Sequence, residues 1–219
     1  MSFLSDIEIF RTLSLVGVSI ASLSFLISGL AYRGKQGETF SPLNHFISEL
    51  GYVGVSKLAP VFNGGLILTG LCLLPACISL GLWLPGTLAK ISMGVGILYV
   101  LSVTFVGIFP MNMIKPHTVA AMTFFWSGLI FVIIISLAIG LQPQEAVVLP
   151  RVYALARLPA VIAYGIFLWL LSKVDRSASE ALLPDDIQRP HIWALAVAEW
   201  MTFITVVIWF VVVALGVLA

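Results

Sequence analysis

Three observations on the amino-acid sequence predict an all-α polytopic membrane protein, a bundle of six transmembrane helices with one short interfacial helix. Hydrophobic residues fill 60% of the 219 positions and charged residues only 10%, far from the roughly 45–50% and about 25% of soluble domains. Mean hydropathy is +1.11. The apolar residues also gather into six long runs, each near the about 20 residues that carry a helix across a bilayer. In lipid every backbone donor and acceptor must find its partner within the protein, so runs of this length are helices.

Taken in order, the spans are expected over 11–32, 59–81, 87–109, 117–140, 147–171 and 191–217, within a single domain covering 1–219. Asp6 and Glu8 stand where a secretory signal carries Lys or Arg, so the first run is read as a retained helix. Ser41 followed by Pro42 is a helix start, with a hydroxyl cap and proline at the first turn, and Gly51 is a stop. These signals predict the interfacial helix over 42–50, too short to span. Pro75 and Pro159 fall inside spans and should kink them. Small residues four apart, such as Gly65 and Thr69 or Ser92 and Gly96, mark close helix contacts. Cys72 and Cys77 are five apart in one run, on different helix faces, and read as buried apolar residues.

An even number of spans puts both termini on one membrane face, side A. The loops 33–58, 110–116 and 172–190 then share side B, together with Arg33, Lys35, Lys57, Lys115, Lys173, Arg176 and Arg189. By the positive-inside rule side B is cytoplasmic, and the expected location is the plasma membrane. A net charge of +1 gives no patch for a polyanion, so no nucleic acid is expected as a partner. Membrane lipids are the expected partners, with a homo-oligomer or a larger membrane complex as further options.

The chemistry-bearing residues concentrate on side B. Lys115-Pro116-His117 opens the fourth span, Arg189-Pro190-His191 opens the sixth, and His45 begins the short helix. All three histidines thus sit near helix N-termini, where the dipole favours the neutral imidazole. Neutral imidazoles can ligate a metal, so His45, His117 and His191 are weak candidates for zinc or a related divalent ion. Their wide spacing makes convergence depend on tertiary packing. On a helix over 42–50, His45 and Glu49 share a face, as do Asn44 and Ser48. Glu199 lies eight residues into the sixth span, about 12 Å deep, and Arg157 enters the fifth from the other face. Two arrangements remain open for Glu199: an ion pair with Arg157, or a place in the side-B pocket.

The segments His45 to Gly51 (HFISELG), Phe62-Asn63-Gly64-Gly65 with Gly70, and Val106 to Pro110 (VGIFP) followed by His117 resemble the six-helix bacterial and archaeal membrane family called domain of unknown function 998. The resemblance implies that architecture and a polar face of Ser48, Glu49, Asn63 and His117, and no assigned activity. A more distant likeness of the Ile47-Ser48-Glu49-Leu50-Gly51 stretch to eukaryotic six-helix families of autophagy modulation and lipid-anchor remodelling points toward lipid handling.

The reading favoured on sequence is a lipid-binding or lipid-processing membrane protein. Ser48, Glu49, Asn63, His117 and Glu199 are its candidate ligand contacts, and His117, Glu49 and His45 its candidate catalytic groups. No Gly-x-Ser-x-Gly elbow is present to support a serine nucleophile. The alternatives are a non-enzymatic accessory or scaffold subunit and, third, a small-solute transporter, which the lack of an internal repeat disfavours.

Overall fold

The computed structural model describes residues 4, 6–174 and 189–217. Six helices among these residues are long and apolar enough to cross a membrane, and no strand occurs among them. The protein is therefore an all-α, multi-pass integral membrane protein.

Helix α1 (Ile7–Ala31) starts four residues before the apolar run, because Asp6 caps it by accepting the Glu8 amide at 3.0 Å and Glu8 pairs with Arg11 one turn on. Helix α2 (Ala59–Trp83) follows after the long segment 32–58, and α3 (Thr87–Ile108) and α4 (Ile114–Gly140) follow through short connections. Pro75 is accommodated within α2. The fifth crossing changes character midway: a 3₁₀ segment, Arg151–Ala156, runs into α5 (Arg157–Leu171). Pro159 therefore falls in the first turn of α5, where a missing amide hydrogen costs little, instead of kinking a continuous helix from 147. Residues 147–150 belong to the turn before it, whose buried Gln142 bonds Leu149 O at 2.8 Å and the Val148 amide at 2.9 Å. Helix α6 (Ala194–Gly216) completes the bundle.

Consecutive helices are neighbours, and α6 returns to α1 to close a ring. Close packing is visible where α2 meets α1, since the Thr69 hydroxyl donates to Gly17 O at 3.2 Å across the helix pair. It is tightest where α2 meets α3. A Cβ on Gly107 would lie 2.6 Å from the Asn63 carbonyl, so only glycine lets these backbones approach. Helix α5 links α4 to α6 in this ring, stacking Phe167 on Phe125 of α4 with ring centroids 3.9 Å apart.

Candidate functional site

The segment expected to be a helix over 42–50 is something else. One turn forms at Ser41, whose carbonyl accepts the Asn44 and His45 amides at 3.1 and 2.9 Å. Phe46 is then extended, and a 3₁₀ segment, Ile47–Gly51, follows. The reason lies in where three successive carbonyls go. Leu43 O accepts the Trp193 amide at 2.7 Å, Asn44 O accepts Arg189 at 3.0 Å, and His45 O accepts the Trp200 indole at 3.2 Å. Each would have bonded an amide four residues on in an α-helix. The Ile47 amide, released from that duty, donates to Glu199 Oε2 at 2.7 Å. Bonds to α6 and its leading segment thus replace the bonds of a helix, and the segment becomes a plug in the side-B mouth of the bundle.

Glu49 is the plug's anchor. Its side chain is 1% exposed and receives a two-pronged ion pair from Arg189, at 2.9 Å to Oε1 and 2.7 Å to Oε2. Oε1 also accepts the Phe46 amide at 2.8 Å. A bidentate, additionally hydrogen-bonded pair of this kind offsets the desolvation of both charges. Asn63 fixes the other end by donating to Gly51 O at 3.0 Å, and a Cβ on Gly51 would stand 2.3 Å from the Asn63 side-chain oxygen. Asn112 clamps the following turn, exchanging two 2.8 Å bonds with the Val53 backbone.

Two further groups lie under the plug. His45 is buried, with Nδ1 2.8 Å from Asn44 Oδ1 and 3.3 Å from the Ser41 amide nitrogen; its Nε2 is buried without a hydrogen-bond partner. Burial lowers its pKa and outweighs the opposing pull of Glu49, so the ring is held neutral. The fully buried Tyr32 ring meets it edge-on at 5.5 Å. Burial, reinforced by the charges of Glu49 and Glu38, pushes the Tyr32 phenol upward, so it stays protonated.

Below the plug lies a cavity of about 110 Å³ among α1, α2, α3, α4 and α6. That is several times the roughly 10–15 Å³ a single water needs on the same measure. Along α6 it reaches from Glu199 to Phe210, and along α2 from Phe62 to Leu73, about 16 Å at 1.5 Å per residue. Ser48 of the plug, His117 and Glu199 meet it at the side-B end, and deeper down Thr69, whose hydroxyl donates to Gly17 O and Gly65 O, and the Tyr99 ring also line it. Its deep end is walled by residues such as Val18, Leu73 and Phe210. His117 Nδ1 donates to Phe109 O at 2.8 Å, a carbonyl at the end of α3 where Pro110 halts the helix. With Nδ1 donating, a neutral ring keeps its Nε2 lone pair as an acceptor.

Phe25 and Phe203, with ring centroids 4.5 Å apart, line this cavity on one side and a second space on the other. That second space is a groove of about 320 Å³ between α1 and α6, bordered by Leu26, Leu30 and Phe40. Leu30 is 74% exposed, so the groove opens on the outer surface of the bundle. Two aromatic rings therefore separate the interior cavity from the surface that lipid covers.

Of the five expected ligand contacts, Ser48, His117 and Glu199 meet at one cavity, while Glu49 and Asn63 hold the plug. Of the two arrangements open for Glu199, the pair with Arg157 does not form. Glu199 is held by the Ile47 amide, and Arg157 donates instead to the nearby Ala154 carbonyl at 3.2 Å. The histidines do not converge: His45 is enclosed by the plug and aromatic rings, His117 faces the cavity and His191 is exposed. Among the described residues no group of three or more His, Cys, Asp or Glu is arranged to hold a metal ion. Sequence reasoning passed over Arg189, Trp193 and Trp200. Arg189 had a legible signal, a basic residue on the same face as an acidic one in a chain with few charges; the two tryptophans act through a backbone amide and an indole that no motif announces.

The sequence signature of the family described as protein of unknown function (DUF998) matches residues 15–216, from within α1 to the end of α6 and including the plug. No curated protein and no solved structure matches the chain.

Proposed function

This chain belongs to the DUF998 family, whose function is unknown, and on that premise we propose that it binds a membrane amphiphile. The apolar chain of the ligand occupies the cavity and its head lies against Ser48, His117 and Glu199. The observation that carries this reading is the lopsided polarity of the cavity: a shaft about 16 Å long, with Ser48, His117 and Glu199 together beneath the plug and a mostly apolar wall below, where the Thr69 hydroxyl is already spent on the Gly17 and Gly65 carbonyls. A water-soluble solute would leave most of that wall without a partner, whereas an alkyl chain matches it. The aromatic partition of Phe25 and Phe203 gives the bilayer a short lateral route to the cavity, so the amphiphile comes from the membrane and its head faces side B. By the charge count, side B is the cytoplasmic face of the plasma membrane.

Mass spectrometry of protein purified in mild detergent tests this. The wild-type chain is expected to retain close to one amphiphile per protein through washing, and Val103→Phe, which fills the shaft, to retain at least tenfold less. Equal retention by both, or none by the wild type, overturns the reading.

A further inference from the structure

We propose that the amphiphile carries a primary amine head and that the site discriminates against phosphate. The proposal rests on the cavity reading above and concerns the chemistry of its polar end.

The donors at that end are already committed. The Ile47 amide serves Glu199 at 2.7 Å, and His117 Nδ1–H serves Phe109 O at 2.8 Å. The Ser48 hydroxyl is directed at Met111 Sδ, 3.9 Å away. What remains is acceptor capacity: the other lone pairs of the Glu199 carboxyl group, the His117 Nε2 lone pair and the Ser48 oxygen. Among the described residues no Lys or Arg lines the cavity. The guanidinium of Arg189, on the plug, is engaged by Glu49 and by Asn44 O.

A phosphate entering here would bring acceptor oxygens and negative charge to a buried end that holds acceptors, a carboxyl group and no cation. Such a charge buried without a partner is strongly disfavoured. An alkylammonium brings three donors on one nitrogen and the opposite charge to a carboxylate, matching three acceptor groups on three different elements. An alcohol supplies one donor and no charge, and ranks between them.

The test is a competition in nanodiscs of neutral lipid, with decylamine, decanol and decyl phosphate as probes sharing one chain. Thermal shift is read for the wild type and for Val103→Phe, with Ala121→Leu as a second cavity-filling variant if the first folds poorly. Subtracting the filled variant removes effects of partitioning into the disc. The expected result is a cavity-dependent shift in the order amine, alcohol, phosphate, with the amine at least tenfold tighter than the phosphate. Glu199→Gln keeps an acceptor for the Ile47 amide and is expected to erase the preference of amine over alcohol. Phosphate or alcohol binding as tightly as amine, or a preference that survives in Glu199→Gln, overturns the head-group assignment while leaving the cavity reading standing. Absence of any cavity-dependent shift with all three probes overturns the cavity reading itself.

Discussion

Two tripeptides of the same pattern, Lys115-Pro116-His117 and Arg189-Pro190-His191, sit on the same membrane face and have opposite fates. In the first the helix starts at Ile114, so the proline occupies the first turn and the histidine is already helical, buried against the cavity, while Lys115 is exposed. In the second the helix does not start until Ala194, so all three residues precede it; the arginine turns inward to Glu49 and the histidine is left exposed. The difference teaches that helix phase, more than residue type, decides which member of such a motif is used. At the fourth crossing a free α3 carbonyl calls for the imidazole; at the sixth a buried carboxylate calls for the guanidinium.

The sharpest way to break the comparison is at the basic position. Arg189→Met leaves the Glu49 carboxylate buried without its cation and is expected to cost about 3–5 kcal/mol, whereas Lys115→Met should stay within about 0.5 kcal/mol. Thermal unfolding in a fixed detergent measures both, and equal effects would show that the buried pair does not hold the plug. At the histidine position the ranking inverts. His117→Leu abandons the Phe109 carbonyl, a loss of about 1–3 kcal/mol, and should weaken amphiphile retention; His191→Leu should change neither.

The smallest expected effect is a pH dependence at His45, the third histidine of that face. Its pKa is lowered in the folded protein by burial, against about 6.5 when unfolded. Below that unfolded value the unfolded chain takes up a proton that the folded chain resists, so stability is full above about pH 6.5 and falls as pH drops toward the lowered folded value. The melting temperature of the wild type should therefore decline between about pH 7.5 and pH 5.5 more steeply than that of His45→Gln. Parallel curves would mean that burial does not shift the titration of the ring between the folded and unfolded chains.

How much of this was legible in sequence varied with the range of the interactions. Glu199 and His117 could be found because a polar group deep in an apolar run, or at its mouth, must face the protein interior to avoid lipid. Ser48 was placed by its position in a polar stretch between two spans. Glu49 stood out as a carboxylate among apolar residues, yet its use as the plug's anchor depended on Arg189, 140 positions away. The short helix was misread for the same reason. Ser41, Pro42 and Gly51 are sound local signals, and the carbonyls of Leu43, Asn44 and His45 nonetheless found donors on the α6 side of the protein.

The sequence by itself determined the six crossings, the all-α class and the membrane face on which polar chemistry gathers. Those properties follow from hydrophobic length and from the need to satisfy backbone groups within each apolar run, and both are local. Only the tertiary structure decided that the loop after α1 is a plug and not a helix, that Glu49 pairs with Arg189, and that Ser48, His117 and Glu199 meet at one end of a cavity. Those outcomes depend on which donors and acceptors from distant segments arrive at the same place, and pairings of that kind leave no period or spacing in the chain to read.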